Sequence, residues 1–385
     1  MRLEQRDSFL WSFESEVVDI AGDRLFLSES AFYPESGGQM ADHGVLEHAA
    51  GVARVVDVQL VDGRVAHAIE GEAPPIGAKV AGRIEGARRR EHMSLHTAQH
   101  MLSRALADEG FETVSARLGE SAATIDTDRA LTHEVAREAA ERVQGVVDED
   151  REIRTLYPNA DELAAMKLRR TPKVTQGIRI IEVAGFDLTP CGGTHCTRTA
   201  QVGLVHVTDV QSYKGGSRVT FVSGSRSRRW LLAHSAALRD LAARFKCPPE
   251  EVMAAVEKQD AQLRASREAL GVARAGWASA IVAGVGEAPL IVETFTGLDR
   301  DTLRSVATKL ATGSRVVALS SIEGDAQHVI VARGEASSVD CGKVLREVAK
   351  TLGGSGGGRP EKAEGRVPVE GDWRAAFASG RLVSE

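Results

Sequence analysis

The sequence predicts an α+β protein of several domains, and three observations predict it. A chain of 385 residues is long enough for two or three domains. From about residue 9 to 84 it clusters β-branched residues between turn signals, whereas residues 226–270 show helical periodicity. From about residue 271, short apolar strands alternate with helices, which is typical of an α/β domain. The expected parts are a small N-terminal β-barrel (1–86), an α/β domain (87–225), a helical connector (226–270) and a C-terminal α/β domain (271–385).

Composition excludes several classes of protein. The chain is 43% hydrophobic and 26% charged, as in an ordinary globular protein, and its net charge of -6 requires any nucleic-acid site to be a local basic patch. Four cysteines in this length do not make a disulfide framework. Residues 1–7 are charged and lack an apolar signal core, and no apolar run is long enough to span a bilayer. We therefore expect a cytoplasmic protein with no membrane segment.

The N-terminal part reads as a small barrel or a sandwich. Its turns are marked by Gly22 and by Asp62-Gly63, and residues 32–44 are expected to form a loop. Gly37 and Gly38 in that loop would let backbone amides approach a ligand closely, although an ordinary tight turn explains them too.

The middle part mixes helices and strands. Strands are expected at 111–119 and 122–127, followed by an acidic amphipathic helix at 131–151 with Thr132 or Asp128 as its N-cap. Apolar strands are expected at 174–183 and 200–210, on either side of a glycine turn.

The C-terminal part begins with helices. Apolar residues at heptad spacing, interrupted by Pro248-Pro249, predict two helices that form a hairpin or an intermolecular coil. The following domain should contain strands near 289–292, 314–320 and 328–332, helices at 298–310 and 341–352, and a glycine loop at 353–358.

Two short segments carry the chemistry. Residues 96–100 (HTAQH) place His96 and His100 one turn apart on one helix face, and residues 191–196 (CGGTHC) place Cys191 and His195 on a double-glycine turn. Three imidazoles and one thiolate are the donors that Zn²⁺ prefers. The alternative is a helix with surface histidines and an unrelated structural cysteine.

Two further residues complicate the ligand set. His92 lies one turn before His96 and is either a supporting group or a competing ligand. Cys196 could replace Cys191 as the ligand, or form an oxidation-prone pair with it.

HTAQH followed by CGGTH resembles the editing domain of alanyl-tRNA synthetase and of its free-standing relatives, the AlaX proteins. Residues 32–44 (FYPESGGQMADHG) resemble the segment before that domain, and residues 353–365 (GGSGGGRPEKAEG) resemble the glycine-rich segment of the synthetase's C-terminal domain. The resemblance to a long-form AlaX protein implies hydrolysis of the ester of tRNA-Ala mischarged with serine or glycine. Because the editing-like region begins near the N-terminus, we expect a stand-alone editing protein without an adenylation domain.

The resemblance also implies roles for individual residues. One Zn²⁺ per chain would be held by His96, His100, Cys191 and His195, with zinc-bound water as the catalyst and no side-chain base. Four protein ligands fill a tetrahedron, so either water replaces one ligand or the ion only positions the substrate. The substrate pocket is expected to contain Thr97, Gly192, Gly193 and Thr194, with Thr113, Ser115 or Thr124 recognising the serine hydroxyl unless these three are plain strand residues.

Candidate tRNA contacts are glycines and basic residues in four segments. The alternatives are a solvated helix start, charged turns and a flexible linker. The candidates are Gly37, Gly38, Gln39, Arg88, Arg89, Arg90, Lys214, Arg218, Gly356, Gly357, Gly358 and Arg359.

Two functions of different classes follow. The first is a zinc-dependent deacylase that acts in trans on mischarged tRNA-Ala, as a homodimer. The alternative is a non-catalytic, zinc-stabilised tRNA-binding protein, which would keep the same four ligands.

Overall fold

The structure, a computed structural model, describes residues 2–172 and 174–378. The chain divides into two compact units, residues 1–240 and 241–385, and the division falls inside one long helix. No helix in the described part of the chain is long and apolar enough to cross a membrane. The four-part domain division remains a prediction.

The first unit begins with a closed barrel of six antiparallel strands in the order β1-β2-β5-β4-β3-β6, which confirms the predicted barrel. Alternate residues point inward, so Val17, Leu46 and Val58 are wholly buried. Asp62 and Gly63 form the predicted turn, both with positive φ. The strands are β1 Ser12–Ala21, β2 Arg24–Leu27, β3 Gly44–His48, β4 Gly51–Val61, β5 Arg64–Glu70 and β6 Lys79–Ile84.

Two sheets, the buried helix α1 and further helices make up the rest of the first unit. The sheets have the orders β12-β13-β8-β7 and β11-β10-β9, and helix α1 packs its apolar side chains into their common core. Thr132, not Asp128, caps helix α2, because its hydroxyl accepts from the Val135 amide. The elements are α1 Gly86–Asp108, β7 Thr113–Leu118, β8 Ala123–Thr127, α2 His133–Asp148, β9 Ile153–Leu156, α3 Ala160–Ala165, β10 Ile180–Val183, β11 Asp187–Pro190, β12 Val205–Tyr213 and β13 Gly216–Ser223.

The expected strand at 174–183 is shorter than its apolar pattern. Only residues 180–183 pair, and they pair on both sides, with β9 and with β11. Neither partner stands out in the sequence, because each is only four residues long.

The second unit is a five-stranded sheet with helices on both faces, in the order β14-β15-β16-β18-β17. Only β14 and β15 pair in parallel among these described strands, so the expected α/β domain contains a mixed sheet. Along β15, Val316 and Ala318 face the core with α7, whereas Val317 and Leu319 face the core with α6. The elements are α4 Gly224–Phe245, which crosses the division, α5 Val252–Gly284, β14 Leu290–Thr296, α6 Arg300–Leu310, β15 Val316–Glu323, β16 Ala326–Arg333, α7 Cys341–Thr351, β17 Ser355–Gly358, β18 Lys362–Pro368 and α8 Trp373–Ala378.

The glycine-rich segment is a strand rather than the expected loop. Residues 355–358 pair with β18, and their glycines permit close packing. A Cβ on Gly356 would lie 3.0 Å from the Leu345 side chain, and one on Gly358 would lie 2.4 Å from the Lys362 carbonyl oxygen. A Cβ on Gly357 meets no described atom within 4 Å. Strand packing therefore accounts for Gly356 and Gly358 without a ligand, and their tRNA contact remains a prediction together with that of Gly357 and Arg359.

Candidate metal centre

Helix α1 carries two of the four candidate ligands. His96 and His100 are one turn apart, and both are buried, with exposed fractions of 3% and 5%. The helix is buried along most of its length, so these imidazoles point into the unit rather than into solvent. The alternative of surface histidines is therefore wrong.

The glycine turn after β11 carries the other two. The Cys191 sulfur lies 3.4 Å from His96 Nε2 and 3.3 Å from His195 Nε2. One donor atom from each of His96, His100, Cys191 and His195 lies within 4.8 Å of all the others. The turn and the helix thus bring the four predicted ligands together, as the two motifs indicated.

The electrostatics favour neutral imidazoles. Burial, together with the charge of Arg179, lowers the pKa of His96 to about 3. Burial also lowers the pKa values of His100 and His195 well below the ordinary value, with His96 contributing to both. Burial raises the pKa of the Cys191 thiol, while the Gly193 amide and Arg179 oppose that rise. Metal ligation requires neutral imidazole and thiolate, so the histidines are already in the ligating form.

This donor set fits a metal ion. Three neutral nitrogens and one sulfur suit a borderline-soft cation such as Zn²⁺, while Mg²⁺ and Ca²⁺ prefer oxygen. The cluster could therefore hold a metal ion.

Cys196 and His92 do not belong to the cluster. The buried Cys196 places its backbone amide 3.2 Å from Thr97 Oγ1, and Cys191 supplies the sulfur of the four-residue group. His92 is wholly buried, and neither ring nitrogen has a hydrogen-bond partner among the described residues.

Neighbouring side chains contact the second ring nitrogens of two ligand histidines. Thr97 Oγ1 lies 3.2 Å from His195 Nδ1, and Thr97 is wholly buried. Asp187 Oδ2 lies 4.0 Å from His100 Nδ1 and accepts from Arg169 and Thr189. Thr97 therefore contacts a ligand, and its expected place in the substrate pocket stays a prediction.

Arg179 spans the ligand turn. Its Nη1 donates to the carbonyl oxygens of Cys191 and Gly193, at 2.9 and 2.8 Å, and its Nη2 donates to Thr155 Oγ1. The side chain is 7% exposed, and no carboxylate of the described residues pairs with it. Nothing in its sequence neighbourhood marked it as a site residue.

A cavity of about 730 Å³ opens beside the cluster. His96, His100 and Cys191 line it, as do Ser115 and Gly192 from the expected pocket and Gly37 and Gly38 from the barrel loop. Residues that the motifs did not indicate also line it: Arg2, Gln99, Arg169, Arg170 and Arg179.

Other expected pocket residues are not among the described residues that line this cavity. Thr113 is buried and donates to Ser103 Oγ at 2.8 Å, and Thr194 is wholly buried. Gly193 packs against the His96 ring, and Thr124 lies within β8. Only Ser115 among the three hydroxyl candidates faces the cavity, where its Oγ donates to Asp126 at 2.7 Å.

The basic candidates separate into structural and exposed residues. Arg89 is wholly buried, and its Nε donates to both carboxylate oxygens of Asp42 at 2.9 and 2.8 Å, so it is not available to phosphate. Arg88 donates to the Ala41 carbonyl and pairs with Glu120. Arg90 is exposed and lies over the Trp11 ring.

The remaining candidates lie outside the cavity lining or serve the cluster itself. Lys214 is exposed, while Arg218 pairs with Asp126 and stacks 3.7 Å from the Tyr213 ring centroid. Gln39 is wholly buried and bonds to His96 and Thr194, and its expected contact with tRNA stays a prediction.

Three family models match the chain. They are "tRNA synthetases class II (A)" at residues 10–88, "Threonyl and Alanyl tRNA synthetase second additional domain" at 178–226 and "DHHA1 domain" at 287–378. The second match contains the CGGTH turn, and the first contains the barrel with its glycine loop.

Curated relatives are alanine–tRNA ligases. That of Synechococcus elongatus is 32% identical over 370 residues, covering 89% of this chain and 42% of the ligase. That of Thermococcus kodakarensis is 30% identical over 390 residues, covering 95% of this chain and 41% of the ligase. The chain thus spans less than half the length of the relatives it matches.

A solved structure of the C-Ala domain from Aquifex aeolicus alanyl-tRNA synthetase is 29% identical, covering 25% of this chain and 91% of that one, at a TM-score of 0.24. The three matched domains and the two ligase relatives together identify this chain as an AlaX-like protein related to alanyl-tRNA synthetase.

Proposed function

We propose that the chain is a zinc-dependent deacylase that hydrolyses, in trans, the seryl or glycyl ester of mischarged tRNA-Ala. The observation that carries the proposal is the position of the four-donor cluster, three of whose residues line a cavity large enough for an aminoacyl group. The relatives are named for their ligase activity, so editing by this chain is our inference.

The charge of the cavity wall supports a polyanionic substrate. Arg169 pairs with Asp187 and Arg2 pairs with Glu4, whereas Arg170 and Arg179 pair with no carboxylate of the described residues. Guanidinium groups are the usual partners of nucleic-acid phosphates. A positive wall beside the cluster would therefore suit the 3′ end of a tRNA, although the whole chain is acidic.

The four ligands and the cavity residues would have different roles. His96, His100, Cys191 and His195 would hold Zn²⁺, which would supply Lewis-acid polarisation and activation of water when bound. Arg179 fixes the carbonyls of the turn, so that the sulfur and the glycine backbone face the cavity. Ser115, held by Asp126, offers a polar group that could distinguish a serine hydroxyl from the methyl of alanine.

A specific observation favours the second function, a non-catalytic zinc-stabilised tRNA-binding protein. Four protein donors that are largely buried resemble a structural zinc site, in which no ligand position is open. The cavity beside the cluster favours the deacylase, because a purely structural site needs no such space.

The test follows the ester. Purified chain would be incubated with seryl-, glycyl- and alanyl-tRNA-Ala, before and after chelation and after return of zinc. We expect loss of the seryl or glycyl ester, little loss of the alanyl ester, and recovery of activity with zinc. A zinc-loaded chain that binds the tRNA but hydrolyses none of the esters would contradict the deacylase and support the second function. The proposed homodimer is tested separately by sedimentation of the same sample.

A further inference from the structure

A glutamine from the barrel reaches the metal centre. Gln39 lies in the loop between β2 and β3, and it is wholly buried. Its Nε2 donates to Thr194 Oγ1 at 2.9 Å, and its Oε1 accepts from the Thr194 backbone amide at 3.2 Å. The same Oε1 lies 2.7 Å from Nδ1 of His96. One amide group thus joins a ligand on the helix to the turn that carries the other two.

These contacts determine the tautomer of His96. A backbone amide can only donate, so the Gln39 atom facing Thr194 N is the carbonyl oxygen and not the nitrogen. Because a carbonyl oxygen can only accept, His96 Nδ1 must carry the proton. The lone pair of the neutral ring is then on Nε2, the atom that lies 3.4 Å from the Cys191 sulfur.

The barrel loop holds Gln39 rigidly. Its backbone exchanges two hydrogen bonds with Ser36, which closes a turn at Gly37 and Gly38, both with positive φ. The Gly38 carbonyl accepts from the Leu118 amide, and a Cβ on Gly38 would lie 2.6 Å from the Ala116 oxygen. The glycines therefore let the loop press against β7, which places the glutamine side chain behind the helix.

We propose that Gln39 is a positioning residue of the metal centre, through which the barrel selects the ligating tautomer of His96 and holds Thr194 in the ligand turn. This inference rests on the metal part of the proposed function and not on the hydrolysis. Partners that bond the second nitrogen of a ligating histidine typically change metal affinity by roughly 10–100-fold when they are removed.

Three variants of the full-length chain test it by zinc affinity, measured in competition with a chromophoric chelator. Gln39→Leu removes both hydrogen-bonding groups while keeping similar bulk, and we expect affinity to fall by about 10–100-fold. Gln39→Glu keeps acceptors for His96 and for Thr194, and we expect affinity within about threefold of the unchanged chain. Gln59→Leu is the matched control, because Gln59 belongs to the same barrel but bonds to Glu35 and Asp57.

A second measurement needs no variant and is insensitive to misfolding. The ring ¹⁵N shifts of His96 in the metal-free, unchanged chain should report a proton on Nδ1. A proton on Nε2, or a Gln39→Leu chain that binds zinc as tightly as the Gln59→Leu control, would overturn the inference. A chain that binds zinc with the expected dependence on Gln39 but hydrolyses no ester would contradict the proposed deacylase activity and leave the inference on Gln39 intact.

Discussion

Gly193 is the residue on which the approach of the two ligand segments depends. A Cβ at this position would lie 2.2 Å from His96 Cε1, a distance that requires movement, and 3.0 Å from Gln39 Oε1, which is a tight contact. At Gly192 the nearest described atom is Gln5 Nε2 at 3.5 Å, which is ordinary contact. A side chain at Gly193 would therefore collide with a ligand, whereas one at Gly192 would not.

Alanine substitutions at these two positions test this difference. Gly193→Ala should displace the His96 ring at a cost of about 1–3 kcal/mol, which lowers zinc affinity by roughly 5–150-fold. Gly192→Ala is the control and should bind zinc nearly as well as the unchanged chain. Isothermal titration with zinc measures both, and equal affinities would show that the clash is relieved elsewhere.

A histidine in the barrel gives the fold a pH dependence of its own. His67 is wholly buried, with Nε2 2.8 Å from Ser30 Oγ and Nδ1 3.0 Å from the Leu25 carbonyl oxygen. Burial lowers its pKa from 6.5 to about 4, although the contact with Leu25 opposes the shift. The unfolded chain therefore binds a proton at this residue at higher pH than the folded barrel does.

The sign of the effect follows from that difference. The contribution of His67 to stability is complete above pH 6.5 and is lost as the pH falls towards 4, by about 3 kcal/mol. Hydrogen exchange of β2 and β5 in metal-free protein at pH 7 and 4.5, corrected for intrinsic rates, measures the loss. His67→Gln should lack it, whereas His133→Gln, at an exposed position, should keep it. An unchanged slope in His67→Gln would refute the assignment.

Helix α1 is positioned by its own arginine. Arg89 lies in the first turn of α1, directly after the last barrel strand. Its Nη1 donates to the Ser8 carbonyl and its Nη2 to the Ala31 carbonyl, in addition to the bonds with Asp42. Every one of these partners lies in the barrel or in the segment before it. These bonds attach the helix that carries His96 and His100 to the barrel and its loops. Arg89 therefore has a structural role.

Removing these bonds should lower the free energy of unfolding and not only the affinity for tRNA. Arg89→Met leaves the Asp42 carboxylate buried without its partner, a change that typically costs about 3–5 kcal/mol. Arg90→Met, at the exposed neighbouring position, should cost less than about 1 kcal/mol. Urea unfolding of the two variants, followed by hydrogen exchange in α1, compares them. An Arg89→Met chain of ordinary stability with weakened tRNA binding would restore the phosphate contact expected from the sequence.

At the scale of the whole molecule, the candidate metal ligands all belong to the first unit. All four donors, the cavity and the barrel lie within the first unit, whereas the described residues of the second unit form a sheet with two cores of its own. Metal binding should therefore act on the stability of one unit.

Zinc removal tests this separation. At a free zinc concentration 100 times the dissociation constant, binding stabilises the unit that holds it by about 2.7 kcal/mol. We expect chelation to increase hydrogen exchange in α1 and β11 and to leave β14 to β16 unchanged. Equal loss of protection in both units would show that they unfold together.

Local patterns in the sequence determined the parts of this protein that depend on neighbours along the chain. The ligand pair on α1 follows from helical spacing, the second pair from a glycine turn, and the barrel strands from β-branched runs between turn signals. The same local logic failed at the glycine segment near 355–358, where composition indicates a loop but pairing with β18 makes a strand.

Only the tertiary structure decided which residues stand behind the ligands and around the cavity. Gln39 lies 57 positions from His96 and 155 from Thr194, so no spacing rule could join them. From the sequence, Arg89 is a candidate phosphate contact and Arg179 is an ordinary residue of an expected strand. The structure shows that Arg89 is buried against Asp42 and that Arg179 spans the ligand turn. The physical reason is that burial and hydrogen-bond partners depend on how distant segments pack, whereas periodicity records only which face of one element a residue occupies.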